Sequence, residues 1–404
     1  MKAINLKTEY LINPMGIDIQ NPRLMWNCDG GIKQTAYRIV AKSDEKTVWD
    51  SGKVCSSSMS AEYPLSLSSR ERIEWTVTLW DENDHEGEPS EPAFFETGLL
   101  SASDFTAKWI SGNYRVNKKN RYPVDCFKKQ FNAQNVAKAR LYITACGLYE
   151  AKINGERVGN FALAPGHTDY TKRIQLQTYD VTDLLNDGEN EITVELADGW
   201  YRGSCGAWGL KNQYGTQTKL LSQLEITDKS GKVTVIGTNK TWAWSNDGEI
   251  RFADNKDGEI VEAWRTPSYS GFAKETKCDV VPVSSNNVPV TEHERFSVKN
   301  VITTPKGAKV LDFGQNIAGY ISFAVTAKKG QKIKLRFGEM FDKNGEFTQK
   351  NVQCRNKKGT KVTPLQQIEY FCKDGLNEYK TKFAIFGFQY VLIETDVEWE
   401  NDDF

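Results

Sequence analysis

Apolar and polar residues alternate with a period of two along most of this chain. Ala139, Leu141 and Ile143 are interleaved with Arg140, Tyr142 and Thr144, and Ile192, Val194 and Leu196 sit between polar partners. The same spacing recurs at Ile321, Phe323 and Val325 and at Ile333, Leu335 and Phe337. A strand points successive side chains to opposite faces, so the pattern predicts half-buried β-strands. Between the runs lie Asn154-Gly155, Lys229-Ser230-Gly231, Lys329-Gly330 and Asn344-Gly345. Each supplies a residue that accepts positive φ, and each reads as a hairpin turn. Helical spacing is scarce. Its best candidate is Asp180-Val181-Thr182-Asp183-Leu184-Leu185, opened by a capping-type residue and closed by Asn186-Asp187-Gly188. Short strands with a turn every ~8–12 residues predict antiparallel sandwiches, not a doubly wound sheet or a helical bundle.

The chain has 404 residues, more than one core fills, since single cores stop growing near ~250–300 residues. Residues 1–99 read as a fibronectin type III-like sandwich, with Trp26, Tyr37, Trp49, Trp75 and Trp80 spaced as strand residues. A linker follows at Gly98-Leu99-Leu100-Ser101-Ala102-Ser103-Asp104. Residues 105–282 form the second expected domain, closed by the polar, turn-rich Val283-Ser284-Ser285-Asn286-Asn287-Val288-Pro289, and residues 290–404 form the third. The predicted fold class is all-β, a fibronectin/immunoglobulin-like sandwich followed by two jelly-roll β-sandwich domains.

Composition narrows the function classes. Lys+Arg 52 against Asp+Glu 53 leaves a formal charge of -1, so no basic excess draws the chain to phosphate backbones or anionic lipid. Neither nucleic acid nor membrane is expected as a partner. The N-terminus, Met1-Lys2-Ala3-Ile4-Asn5, lacks the apolar stretch of an export signal. The eight cysteines (Cys28, Cys55, Cys126, Cys146, Cys205, Cys278, Cys354, Cys372) show no CxxC or CxH pairing, which argues against a zinc site and a disulfide framework. They read as reduced thiols in a cytoplasmic protein. Three histidines, His85, His167 and His293, leave few candidates for a Ser-His-Asp apparatus.

Sugar binding is the chemistry the residues suggest best. Hexose rings present C–H faces that stack on aromatic rings, while carboxylates and amides accept hydroxyl protons. Asp198-Gly199-Trp200-Tyr201-Arg202-Gly203 carries both partner types on an expected loop, and Asp254-Asn255-Lys256-Asp257-Gly258-Glu259 adds oxygen ligands. The glycine-rich Gly203-Ser204-Cys205-Gly206-Ala207-Trp208-Gly209 places Trp208 at a loop tip. The candidate sugar contacts are therefore Asp198, Trp200, Tyr201, Trp208, Asn255, Asp257 and Glu259. A packed contact or tight turn is the competing reading of Trp200 and Tyr201, because Gly199 tolerates angles other residues do not. The stretch from Asp254 fails an EF-hand test, with Lys256 and Gly258 at its third and fifth positions. Asp198, Asp257, Glu259 and Glu339 read as solvated or structural acids, not as a catalytic pair. Asp312-Phe313-Gly314-Gln315-Asn316 reads as a turn that ends a strand. Lys118-Lys119 with Arg121, and Arg355 with Lys357-Lys358, read as solvated loop charge.

Several motifs together carry a family resemblance. They include Trp49-Asp50-Ser51-Gly52-Lys53-Val54, Gly147-Leu148-Tyr149-Glu150, Leu163-Ala164-Pro165-Gly166-His167-Thr168-Asp169-Tyr170, Asp198-Gly199-Trp200-Tyr201-Arg202-Gly203, Asp312-Phe313-Gly314-Gln315-Asn316 and Phe383-Ala384-Ile385-Phe386-Gly387-Phe388. In this order, over almost the whole chain, the sequence resembles the N-terminal, non-catalytic region of bacterial α-L-rhamnosidases, glycoside hydrolase family 78. The resemblance implies hydrolysis of terminal α-L-rhamnosides with inversion by an (α/α)6 barrel whose acidic motif has no counterpart here. The chain is thus expected to be a truncated, inactive portion with rhamnose-containing glycosides as partners. No cofactor is required. Relatives of the first jelly roll that hold rhamnose through calcium mark Asp198 and Asn255 as metal ligands. The rival expectations are a self-sufficient carbohydrate-binding or scaffold protein and a complete all-β glycosidase or lyase.

Overall fold

The computed structural model describes residues 1–206, 208–355 and 358–404. Lys357 and Ala207, named above within a basic cluster and the glycine-rich stretch, lie outside the described residues. The chain divides into two compact units.

The first unit comprises Met1–Thr106 with Gln175–Tyr179 and Pro282–Val288. One sheet runs Lys2–Thr8, Arg23–Asp29, Ser60–Glu62; the other runs Met15–Ile17, Ala93–Thr97, Arg72–Trp80, Ala36–Ser43, Lys46–Asp50. Alternate residues Ile73, Trp75, Val77 and Leu79 are buried with Leu24, Trp26, Ile39, Tyr63 and Phe95, as a strand packed on one face requires. Tyr37 and Trp49 pack at the edge of this core, and Trp80 is buried as well. Gln34 satisfies the polar atom that Trp26 carries inside: its Oε1 accepts the indole N–H at 3.0 Å, and its amide donates to the carbonyls of Ser56 and Ser58.

The second unit comprises Ala107–Ile174, Asp180–Val281 and Pro289–Phe404 and holds two sandwiches. In the first, Lys274–Glu275, Ile110–Ser111, Lys219–Asp228 and Val136–Cys146 neighbour one another in one sheet. Glu156–Arg157, Leu148–Ile153, Gly188–Ala197, Asp125–Ala133, Ala243–Ser245 and Gly271–Phe272 form the other. In the second, a seven-stranded sheet covers the pair Ser322–Ala327 and Gly375–Lys380. Phe337 stacks on Phe386 at 4.2 Å in its core, and Phe323 meets Tyr370 edge-on at 5.2 Å.

Five local features differ from the pattern reading. Val136–Cys146 is buried on both faces from Ala139 onward, so Arg140, Tyr142 and Thr144 are interior, and the Arg140 guanidinium reaches Asp180 at 2.8 Å. The expected helix at Asp180 is only the 3₁₀ turn Thr182–Leu184, with Asp180 Oδ1 accepting from the Thr182 N–H and hydroxyl. Lys329-Gly330 is not a hairpin: it joins Ser322–Ala327 to Lys332–Gly338, which belong to different sheets. Asp312–Asn316 does not end a strand but bulges within Lys309–Gly319, where the register slips between Asp312 and Ile317. Finally, Ile250–Asp254 and Gly258–Glu262, inside the span expected for the second domain, belong to the seven-stranded sheet, where Gly258–Glu262 runs parallel to Gln367–Phe371. At Gly258, with φ +107°, an added Cβ would lie 1.7 Å from the Gln367 carbonyl oxygen, so only glycine fits.

Candidate functional site

Where Gly188–Ala197 ends, the chain turns into the four-residue helix Gly199–Arg202 instead of the expected loop. Gly199 makes the turn possible: its φ is +51°, and a Cβ there would press within 2.7 Å of Leu148 and 3.0 Å of the Gly147 backbone. The helix folds Arg202 back onto Asp198, Nε to Oδ1 at 2.6 Å, with both side chains buried. Arg202 Nη1 also donates to the Tyr114 hydroxyl (2.6 Å), which donates to Asp125 Oδ2 (3.3 Å). Asp125 takes further bonds from Thr218 and Trp244. On the other side Arg121 bridges Asp198 (3.5 Å) and the fully buried Asp254. Asp254 accepts in addition from the backbone N–H groups of Ser204, Lys256 and Asp257.

This is a chain of interior charges. Burial alone would raise the Asp254 carboxyl, but Arg121 and the backbone donors hold it below its ordinary value. Burial and the charge of Asp254 push Asp257 up. Burial likewise raises Asp125, against the pull of Arg202 and its hydrogen-bond donors.

The structure joins Asn255 to Trp200 and to Ser204, while Asp198 is held by Arg202 and Arg121. The Asn255 amide oxygen accepts the Trp200 indole N–H (2.9 Å) while its nitrogen donates to the Ser204 carbonyl (3.2 Å), the orientation its neighbours require. Trp200 lays its ring on His167, 5.2 Å between centroids and 14° from parallel. Tyr201 is buried and meets Tyr170 edge-on at 5.4 Å. The faces expected to stack on sugar are therefore engaged by protein. Trp208 alone of the three is open, 51 % exposed. Asp257 accepts from the Leu365 N–H (3.0 Å) and Thr363. Glu259 lies apart from Asp198, buried, accepting from the N–H groups of Lys382 and Phe383 and the Tyr379 hydroxyl.

The two residues marked for calcium are both committed. An ion at Asp198 would have to displace two arginines, and at Asn255 the indole of Trp200. Among the described residues no group of three or more His, Cys, Asp or Glu side chains is arranged to hold a metal. Arg121, read as solvated loop charge, is instead a largely buried partner of two carboxylates. Tyr114, Asp125 and Arg202 were not singled out either. Arg202 lies only four positions from Asp198, but Arg121 and Asp254 are 133 positions apart and Asp125 and Trp244 are 119 apart, so local spacing announces only the first of these pairs.

A groove of about 1100 Å³ lies elsewhere in the second unit. Phe313, Ile317 and Phe388 give it an apolar floor beside the bulge, and residues 289–296 run along its rim. Glu292 there accepts from the Tyr320 hydroxyl and pairs with Lys380. None of the seven residues singled out for sugar contact lines it.

Comparison with known proteins gives these sandwiches a family. Residues 3–101 match the Rha78A-like, N-terminal immunoglobulin domain, residues 134–304 the alpha-L-rhamnosidase N-terminal domain, and residues 302–403 the bacterial alpha-L-rhamnosidase concanavalin-like domain. An alpha-L-rhamnosidase of Formosa agariphila is 34% identical across 95% of this chain and 44% of its own length. One from an Alteromonas species is 32% identical across 97% and 45%. The native rhamnosidase of Aspergillus terreus superposes with a TM-score of 0.90 at 29% identity, covering 100% of this chain and 48% of that one. The chain thus spans about half the length of the relatives it matches. It belongs to the bacterial α-L-rhamnosidase family, glycoside hydrolase family 78, and corresponds to the N-terminal β-sandwich region of its members.

Proposed function

We propose that this chain is the accessory front portion of a protein that hydrolyses terminal α-L-rhamnosides with inversion, and that the acid and base of the reaction lie outside residues 1–404, in the (α/α)6 barrel the family resemblance implies. Its own role is to present rigid sandwich surfaces that position that barrel. An inverting glycosidase needs two carboxyl groups ~6.5–9.5 Å apart across a water-holding cleft, one of them with a raised pKa. One observation carries the reading: the carboxyls raised by burial, Asp125, Asp257 and Glu259, each accept hydrogen bonds from the protein, and none of them lines the groove. The relatives named as alpha-L-rhamnosidases support rhamnose-containing glycosides as the substrate class.

Incubated with an aryl α-L-rhamnoside, the purified chain is expected to release no rhamnose. Steady release that disappears in Glu259→Gln or Asp257→Asn would locate the chemistry in this chain and overturn the reading.

A further inference from the structure

The eight cysteines show no framework in sequence, yet two of them meet in space. Cys146 ends the strand Val136–Cys146 and has Lys219 as its ladder partner. The Lys219 ammonium donates to the carbonyl of Lys277 at 2.7 Å, which brings the next residue, Cys278, to the same place. Both side chains sit in one apolar cluster with Tyr170, Ile174 and Tyr201. Cys146 is 1% exposed and Cys278 is half-buried. Cys278 packs against the cluster that holds Cys146 and Tyr201, so the two thiols and the phenol share one pocket of side chains. Other thiols have different partners: Cys126 the Val124 carbonyl, Cys354 the Thr363 carbonyl, Cys28 the Gln34 amide, Cys205 the His167 ring.

We propose that Cys146 and Cys278 form a reversible dithiol–disulfide couple, a modification site that exchanges with small disulfides of the glutathione class.

The thiolate is the reacting form, and the surroundings select Cys278 to carry it. The Cys146 thiol beside it outweighs burial and, with the Val280 backbone and the Lys219 charge, brings Cys278 down to about 6. The same contact and burial push Cys146 up. The Cys278 sulfur attacks one sulfur of oxidised glutathione, forming a mixed disulfide and expelling one glutathione thiolate. Cys146 then yields its proton to that thiolate or to water, attacks the Cys278 sulfur and expels the second. The protein is oxidised by two electrons and the small disulfide is reduced to two thiols. Tyr201, packed in the same cluster, links the couple to the helix Gly199–Arg202.

The test equilibrates the folded chain with graded ratios of reduced and oxidised glutathione, quenches with acid, alkylates and maps peptides by mass spectrometry. The wild-type chain is expected to yield a Cys146 peptide linked to a Cys278 peptide. It should be lighter by a pair of hydrogen atoms, show two fewer titratable thiols than the eight of the reduced chain, and recover on reduction. In Cys146→Ala the reaction should halt at the mixed disulfide, leaving the chain heavier by one glutathione on Cys278. No linked peptide in the wild-type chain, or a wild-type chain that stays glutathionylated at Cys278 as the variant does, overturns the proposal.

Discussion

The core of the first unit and the interior around Asp198 in the second are both buried, but different forces hold them. In the first, Trp26, Tyr63, Trp75 and Phe95 fill the space between two sheets, and the polar atom of Trp26 is met by the neutral amide of Gln34. Apolar burial does the work there, at roughly 25 cal/mol per Å² removed from water. In the second, Asp198, Arg202, Arg121 and Asp254 are carried inside as charges and held by one another and by backbone N–H groups. Such a cluster gains little over a well-packed apolar one of the same volume, yet losing one member leaves an unpaired buried charge. The first arrangement has no buried charge to lose; the second holds only while its members stay charged.

The sharpest way to press this contrast is to empty each interior in turn. Trp75→Ala should cost about 3–5 kcal/mol through lost burial and the cavity left behind, read as lost hydrogen-exchange protection in Ala36–Ser43 and Arg72–Trp80; an unchanged exchange pattern would mean that the indole is not structural. Asp254→Ala should cost about 3 kcal/mol by taking from Arg121 one of its two carboxylates and from three backbone N–H groups their acceptor, read in the same way over Ile250–Asp254 and Gly258–Glu262. Adding Arg121→Met should restore most of it, and failure to do so would mean that the charges are more than mutual compensation. The exposed pair Arg38–Asp50, joined at 2.5 Å, is the control: Asp50→Asn should leave exchange unmoved at physiological salt.

The smallest expected effect is a slope with pH. Burial raises the Glu259 carboxyl above the ordinary value of 4.5 against the bonds it accepts from Phe383, Tyr379 and Lys382, so the folded chain keeps that proton longer than the unfolded one. Stability contributed by this group is therefore present below 4.5 and lost as pH climbs through the higher folded value. Glu259→Gln cannot titrate there. Its thermal midpoint relative to wild type should rise with pH across that window, and a flat difference would show that the carboxyl is not perturbed.

How far the sequence could be read depended on the range of each interaction. Period-two alternation located the strands, because facing is decided by the next residue but one. Asn154-Gly155 was legible because positive φ at both positions, +52° and +88°, is a property of those two residues and closes Ile153 onto Glu156. Trp200 and Tyr201 were legible as aromatics beside a carboxylate, but whether such a ring faces water or lies on His167 is decided by elements far along the chain. Arg121 shows the same limit. Three basic residues within four positions look like solvated charge until a distant aspartate is folded beneath one of them.

The parallel seam between Gly258–Glu262 and Gln367–Phe371 bears on heredity. A crossover between genes near codon 285 would hand one descendant two orphan strands and the other a raw, unpaired sheet margin, a template for aggregation. These two sandwiches are thus expected to pass between lineages as one block, with exchange tolerated only where no ladder is severed.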